Sequence, residues 1–423
     1  MELPKGWAKG EWCNLVTIIH GKNQRNVEDI DGKYPIYGSG GVIGRSNKYL
    51  CKAGSTIVGR KGTINKPIYA KENFWNIDTA FGISPSGSVD PKYLFYFCVG
   101  FNFANLDKST TIPSLTQNNL LKINMPIPPL SEQHRIVEKI DALFSELDKG
   151  VEILQTVKEQ LRTYRQSVLK SAFEGRLPEV SNINFSTRNI VDFFEVSGGL
   201  TKNSNRDKLP VKMPYLRVAN VYFNYLDLDE IKSIGVTESE VERTLLFPGD
   251  LLFVEGNGSK EQIGRVAIWN GELDKCLHQN HIIKGRPNGL MNVKYALYYL
   301  MSKAGRDQIL TVASSTSGLY TLSINKIKTL MLPFCSEQQK VIDAIESRLS
   351  VCDKVEQLVD ENLAKASALR QSILKKAFEG RLVPQDPNDE PAEKLLERIK
   401  AERAAAEQRM KQQKSVKRSK KNG

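Results

Sequence analysis

The chain has 423 residues, 40% apolar and 8% aromatic, which is enough material to bury two or three separate cores. Its net charge of +12 points to an anionic partner, and no run of about 18 apolar residues exists to form a membrane-spanning helix. The start MELPKGWAKG lacks a signal-peptide core, and the six cysteines contain no C-x-x-C pair. A disulfide frame or zinc ribbon is therefore not expected, and the expected setting is the cytoplasm.

Residues 1–130 carry 15 basic and 9 acidic side chains. They mix short β-type runs with turns, in the manner of an α+β domain. YGSGGVIG reads as a Gly-rich turn, because β-type residues follow it where a nucleotide loop needs a helix. GSTIVGRKG has Arg60-Lys61 where a phosphate-binding P-loop needs Lys-Ser/Thr, so it reads as a hairpin with a basic tip. PKYLFYF begins a helix near Tyr93–Cys98.

Residues 131–177 carry 8 basic and 8 acidic side chains and read as one long helix. Pro128-Pro129 precede an expected serine N-cap at Ser131. Ile136, Ile140, Leu143, Leu147, Val151, Leu154, Leu161, Val168 and Ala172 form a seam at spacings built from threes and fours. Gly175 in AFEGRL stands where a left-handed residue ends a helix, and Pro178 forbids continuation.

Residues 178–335 form a second α+β block with 18 basic and 16 acidic side chains. Its β-rich runs are Leu251–Val254 and Arg265–Trp269, and its helix lies near Tyr295–Met301. Residues 336–382 then repeat the long helix at an offset of 205. SEQ returns at Ser336, RQSVLKSAFEGRL returns as RQSILKKAFEGRL, and about 18 of 47 aligned positions are identical. Ser336-x-x-Gln339 offers a capping box, and Ile345, Leu349, Cys352, Val355, Val359, Ala366, Leu369, Ile373 and Ala377 form the second seam. Neither stripe can be buried alone, so the two helices are expected to pack on each other. The blocks correspond as well: Pro35/Pro214, Gly54/Gly249 and Lys92/Lys294 give offsets of 179, 195 and 202, which only grow toward 205. Residues 383–423 form a helical, basic tail with 11 basic and 7 acidic side chains.

Catalytic signatures are missing. There is no G-x-S-x-G elbow, no H-E-x-x-H and no Asn/Asp-Pro-Pro-Tyr/Phe. His278-x-x-His281 has no further ligand cluster nearby, so no metal site is expected. A binding protein is the expectation.

IPPLSEQHRIVEKIDALF, the two AFEGRL helices and LVPQDPNDEPAEKLLERIKAER together resemble the specificity subunit of type I restriction–modification systems. The resemblance implies an α+β chain whose target-recognition domains, 1–130 and 178–335, are separated by the spacer helices 131–177 and 336–382. These helices pair as an antiparallel coiled coil with pseudo-twofold symmetry, and 383–423 is a tail. Each domain reads half of an asymmetric bipartite site in double-stranded DNA. The chain does no chemistry and carries no cofactor. Two methyltransferase subunits with S-adenosylmethionine dock on it, and restriction/translocase subunits using ATP and Mg join them.

Polar and basic loops beside Gly turns are then the expected DNA contacts. In the first domain they are Arg60, Lys61, Thr63, Asn65 and Lys66, with Ser109, Thr110 and Thr111. In the second they are Asn257, Ser259, Lys260, Gln262 and Arg265, then His278, Gln279 and Asn280, then Ser314, Ser315 and Thr316. Lys and Arg neutralise phosphates, whereas Asn, Gln and Arg forks read base edges.

Overall fold

The computed structural model describes residues 3–109, 111–316 and 318–401, with only the backbone at Thr316. The expected contact Thr110 and the basic end of the tail lie outside the described residues. The chain divides into two compact units. The first takes residues up to Leu154 and those from Glu361 onward, and the second is Gln155–Asp360. Each unit contains one mixed α/β domain, part of the first long helix, Leu130–Phe173, and part of the second, Gln338–Phe378.

In the first unit an antiparallel sheet has the order Val16–His20, Ala80–Pro85, Thr56–Gly59, Ile68–Tyr69. Thr56–Gly59 is buried at all four positions, so it is a central strand covered on both faces. A second sheet has the order Gly41–Ser46, Tyr34–Gly38, Trp75–Asn76, the last pair being parallel. The helix Pro91–Gly100 starts where Asp90 accepts the backbone N–H groups of Lys92 and Tyr93, and Pro91 supplies a preset φ. It buries Tyr93, Leu94, Phe97 and Cys98 in a core with Trp12, Phe81 and Phe103.

The second unit repeats this plan strand for strand. Its sheets have the orders Phe194–Gly198, Ile282–Pro287, Leu251–Val254, Val266–Ile268 and Lys232–Gly235, Lys212–Leu216, Leu277–His278. Registers repeat too: Val16 faces Pro85 as Phe194 faces Pro287, and Ile36 lies beside Trp75 as Tyr215 lies beside Leu277. The offset does not only grow, however. The strand Asn124–Ile127 pairs with Ala8–Glu11 as Met331–Phe334 pairs with Ser186–Asn189, an offset of 207. It returns to 205 in the helix because one residue separates Phe334 from Ser336 where three separate Ile127 from the aligned Ser131.

Within each unit the long-helix segments run antiparallel. In the first, Ile136 and Ile140 share a core with Ile373, Leu374 and Ala377, and Arg370 pairs with Asp148. In the second, Lys158 pairs with Asp360 at 2.7 Å and Arg165 with Asp353 at 2.7 Å. Seven residues up one helix match seven down the other, as two-turn contacts between antiparallel helices require. Leu369 does not join the seam, for it is 49% exposed. Arg370 takes that place, its guanidinium 4.9 Å from the Phe144 ring centroid.

The starts of the long helices also differ from expectation. Ser131 sits inside the first turn, whose Gln133 N–H donates to Pro129 O, and its hydroxyl donates to Asp389. Ser336 lies in a turn before Gln338, and Gln339 donates to Asp343 and accepts from Asn292, so no capping box forms there. The ends match closely. Gly175 and Gly380 have φ of 68° and 71°. Arg176 N–H reaches Ser171 O and Arg381 N–H reaches Lys376 O, both at 2.8 Å, which closes a Schellman motif in each copy.

These two glycines are equivalent in sequence but not in space. A Cβ at Gly175 would find Phe185 at 3.7 Å, whereas one at Gly380 would stand 2.3 Å from Pro4 Cγ. Gly175→Ala is expected to cost about 1 kcal/mol for its left-handed φ. Gly380→Ala should cost more, because Pro4 must move as well. Denaturant unfolding that ranked the two in reverse would contradict this.

The tail closes on the first unit. Residues 392–401 are helical, with Ala392, Leu395 and Ile399 in its core. Ala392 N–H donates to Gly6 O at 2.9 Å, and Arg135 pairs with Asp389 at 2.6 Å. Among the described residues no helix is long and apolar enough to cross a membrane.

Candidate nucleic-acid interface

In the first unit, the strand Thr56–Gly59 runs out into a loop, residues 60–67, and returns as Ile68–Tyr69. The loop folds back tightly, since a Cβ at Gly59 would meet Thr63 O at 2.0 Å. A second stretch, residues 111–115, zips onto it. Lys61 and Ser114 form an antiparallel bridge, Gly62 N–H donates to Pro113 O at 2.9 Å, and Leu115 N–H donates to Arg60 O at 2.8 Å. Two expected contact stretches, about 50 residues apart in sequence, therefore form one surface. Lys61, Thr63, Lys66 and Thr111 are exposed on it.

Several neighbours are turned to other work. Ser109 donates both its N–H and its hydroxyl to Asp107, and Ser114 N–H donates there too. These donors hold the Asp107 carboxyl below its ordinary range, Ser109 contributing most. Arg60 donates to Asp78 O at 3.1 Å. Asn65 accepts from Phe103 N–H at 2.7 Å and donates to Asn102 at 2.8 Å, so both ends of its amide are used inside the domain.

The second unit keeps the bridge and changes the side chains. Gly256 pairs with Thr321 where Lys61 pairs with Ser114. The bridge widens into a three-stranded sheet of order Gly256–Asn257, Leu319–Thr321, Ser314–Thr316, which puts Asn257 on one sheet with Ser314 and Ser315, on either side of Leu319–Thr321. At Thr316 only the backbone, paired with Leu319, is described. Asn257 Oδ1 accepts Ser259 N–H at 2.9 Å, Ser259 Oγ donates to Glu261, and Ser314 Oγ accepts from Lys326. Lys260 is exposed, while Gln262, Gln279 and Asn280 are half-buried. Gln279 and Asn280 N–H groups donate to Leu216 O and Leu200 O.

Two expected contacts are corrected. His278 is wholly buried, with Nδ1 2.9 Å from Ile282 O. Burial, reinforced by Lys284, pushes its pKa down to about 3, so it is neutral and shut away from any DNA. Arg265 is 7% exposed, its guanidinium 4.7 Å from the Tyr222 ring centroid and donating to Val218 O at 3.0 Å. It ties the end of the loop to Val218 and Tyr222. Lone polar letters in a loop carry no mark of which way they turn.

Three further residues belong to this surface and were not foreseen. Glu255 replaces Arg60 in the repeat and faces His281 Nδ1 at 3.0 Å, reversing the charge at that corner. Arg306 donates to the carbonyls of Glu261, Ile263 and Gly264. No local signal could reveal it, because its partners lie more than 40 residues upstream. Among the described residues no group of three His, Cys, Asp or Glu is placed to hold a metal ion.

The model of the type I restriction modification DNA specificity domain matches this chain twice, at residues 4–160 and 182–359. The Escherichia coli K12 type I restriction enzyme EcoKI specificity subunit is 32% identical over 96% of this chain and 97% of its own length. The StySPI specificity subunit of Salmonella potsdam is 26% identical over the same shares. A solved structure from work on complex assembly and conformational transition of the type I system covers 90% of this chain and all of its own, with 15% identity and a TM-score of 0.70. The HsdS subunit of Thermoanaerobacter tengcongensis covers 90% of this chain and 98% of its own, with 16% identity and a TM-score of 0.50.

Proposed function

The chain belongs to the type I restriction modification DNA specificity family and is a DNA sequence-specificity subunit, and from that premise we propose how it reads its target. The target-recognition domains, 1–130 and 178–335, each read one half of an asymmetric bipartite site in double-stranded DNA. The carrying observation is the repeated bridge, Lys61–Ser114 in one domain and Gly256–Thr321 in the other. One backbone frame presents two different sets of side chains, so two similar domains read different bases.

The long helices act as a ruler that sets the spacing and a pseudo-twofold relation between the domains. Supporting this, partner numbers fall down one helix as they rise up the other, from Asp148–Arg370 to Lys158–Asp360 to Arg165–Asp353. The chain works without chemistry or cofactor of its own, in the cytoplasm. Two methyltransferase subunits bring S-adenosylmethionine, and restriction/translocase subunits bring ATP and Mg. Genome-wide adenine-methylation mapping with and without this gene tests the reading: a two-part motif should vanish with the gene, and an unchanged map refutes it.

Lys61 supplies charge to phosphate rather than sequence. Lys61→Ala is expected to weaken binding to all duplexes alike and to flatten the slope of log K against log salt by roughly one unit. Titration at several salt concentrations measures both, and an unchanged slope removes Lys61 from the phosphate contacts.

A further inference from the structure

A loop that reads bases must hold its donors to within about 0.5 Å, and a loop leaving a sheet edge does not do that unaided. Both loops are plugged into their domain by an isoleucine, Ile64 at 5% exposure and Ile263 at 0%. The residue after the plug is Asn65 in the first domain and Gly264 in the second. Asn65 reaches out of its loop to Asn102 and Phe103, in the segment that follows the helix Pro91–Gly100.

Gly264 cannot do the same. Its φ is 64°, and a Cβ there would stand 2.4 Å from Ile309 and 3.1 Å from Leu322. The joint is made from the opposite side. Arg306, on the helix Lys303–Val312 that follows Val293–Met301, donates to Ile263 O at 2.7 Å, Gly264 O at 3.0 Å and Glu261 O at 3.2 Å. Its guanidinium also lies 4.8 Å from the ring centroid of Phe223, at the tip of the hairpin Val221–Tyr222/Tyr225–Leu226. Charge-assisted bonds to three successive-turn carbonyls fix loop shape more strongly than single neutral ones.

We propose that Asn65 and Arg306 are the positioning residues of the two DNA-reading loops, each setting the specificity of its own half-site without touching DNA. A side chain that touched a base would govern one position; a side chain that shapes the loop governs every base the loop reads. This inference rests on the assignment of the two reading faces made above.

The test is adenine-methylation mapping by the assembled complex carrying full-length variants. Arg306→Ala should lower discrimination by roughly tenfold or more at each base of one half-site, the scale of one lost base contact per position, with the other half unchanged. Asn65→Ala should do the reverse, relaxing only the other half. Arg306→Lys, which keeps the charge and can reach fewer carbonyls, should restore discrimination in part. If Arg306→Ala prevents assembly, Arg306→Lys and Phe223→Ala carry the same expectation in weaker form. A motif unchanged by these variants, or one relaxed equally in both halves, overturns the proposal. Gln262→Ala and Gln279→Ala, at side chains of the type that reads base edges, separate the two levels. If they alter the motif and Arg306→Ala does not, the positioning role fails while the reading face stands; if none of the three alters it, the reading face itself is wrong.

Discussion

Adding four residues to the first long helix between Asp148 and Lys158, matched by four between Asp360 and Arg370, will lengthen the gap in the recognised site and leave both half-sites as they were. The matched addition lets Asp148–Arg370 and Lys158–Asp360 keep their partners on either side. Four helical residues add about 6 Å at 1.5 Å per residue and turn the helix by roughly 40° beyond a full rotation. Against a rise of about 3.4 Å per base pair, that is one to two extra pairs between the half-sites. If the helices set the distance between the two readers, as proposed above, spacing follows helix length while sequence follows the loops. Methylation mapping reads both at once. A gap of unchanged length would sink the ruler, and changed half-sites would show that the helices take part in reading.

Arg206→Ala will destabilise the second domain by about 2–3 kcal/mol, the scale of losing charge-assisted hydrogen bonds to a partly exposed carboxylate and leaving buried acceptors without their donor. Arg206 is 9% exposed at its side chain and donates to both carboxylate oxygens of Glu240, at 2.7 and 3.0 Å. It also donates to Thr201 O and Gly235 O, so its loss leaves two carbonyls without their donor as well. The Arg206 bonds pull the Glu240 pKa down to about 2, helped by Thr237 N–H. A carboxylate depressed in the folded state stabilises it fully above its ordinary pKa of about 4.5, and that stability drains away as pH falls toward 2. The natural chain should therefore lose stability across that interval, and Arg206→Ala should lose less over the same range. Unfolding curves at pH 6 and pH 3 give the comparison; equal pH sensitivity in both chains would rule out this pair as its source.

This ion pair also explains part of how the domains diverged. The offset between the repeats grows from 179 to 195 between the Ile36/Tyr215 and Thr56/Leu251 positions. The extra residues of the second domain fall there: they add the hairpin Val221–Tyr222/Tyr225–Leu226 and the helix Glu238–Thr244, and charged groups hold that helix. Lys284, 2% exposed, donates to Arg243 O and Leu245 O and so caps the helix Glu238–Thr244. In the first domain the matching position is Gly82, where a Cβ would strike Cys51 Sγ at 2.3 Å. The sequence repeats the strand and replaces what leans on it.

Much of the frame was legible from the letters alone. AFEGRL announced its own structure twice, because a left-handed glycine and a following proline act on the backbone where they stand. Strand Leu251–Val254 and the helices near Tyr93 and Tyr295 were legible for the same reason, since periodicity and turn residues act over a few positions. The helix starts were not: Ser131 was drawn to Asp389, 258 residues away, and Ser336 was left in a turn.

The loops divide along the same line. Sequence by itself determined that two unlike sets of polar loops stand on one repeated frame, and its motifs identified the family. Only the tertiary structure decided which polar side chains face outward. Lys61 and Lys260 are exposed, while His278 is sealed in, Arg265 is stacked on Tyr222, and Asn65 is spent on Asn102 and Phe103. Helix and turn preferences are set by neighbours along the chain. The direction of a loop side chain is set by whichever distant donor or carbonyl satisfies it, and that partner exists only once the chain has folded.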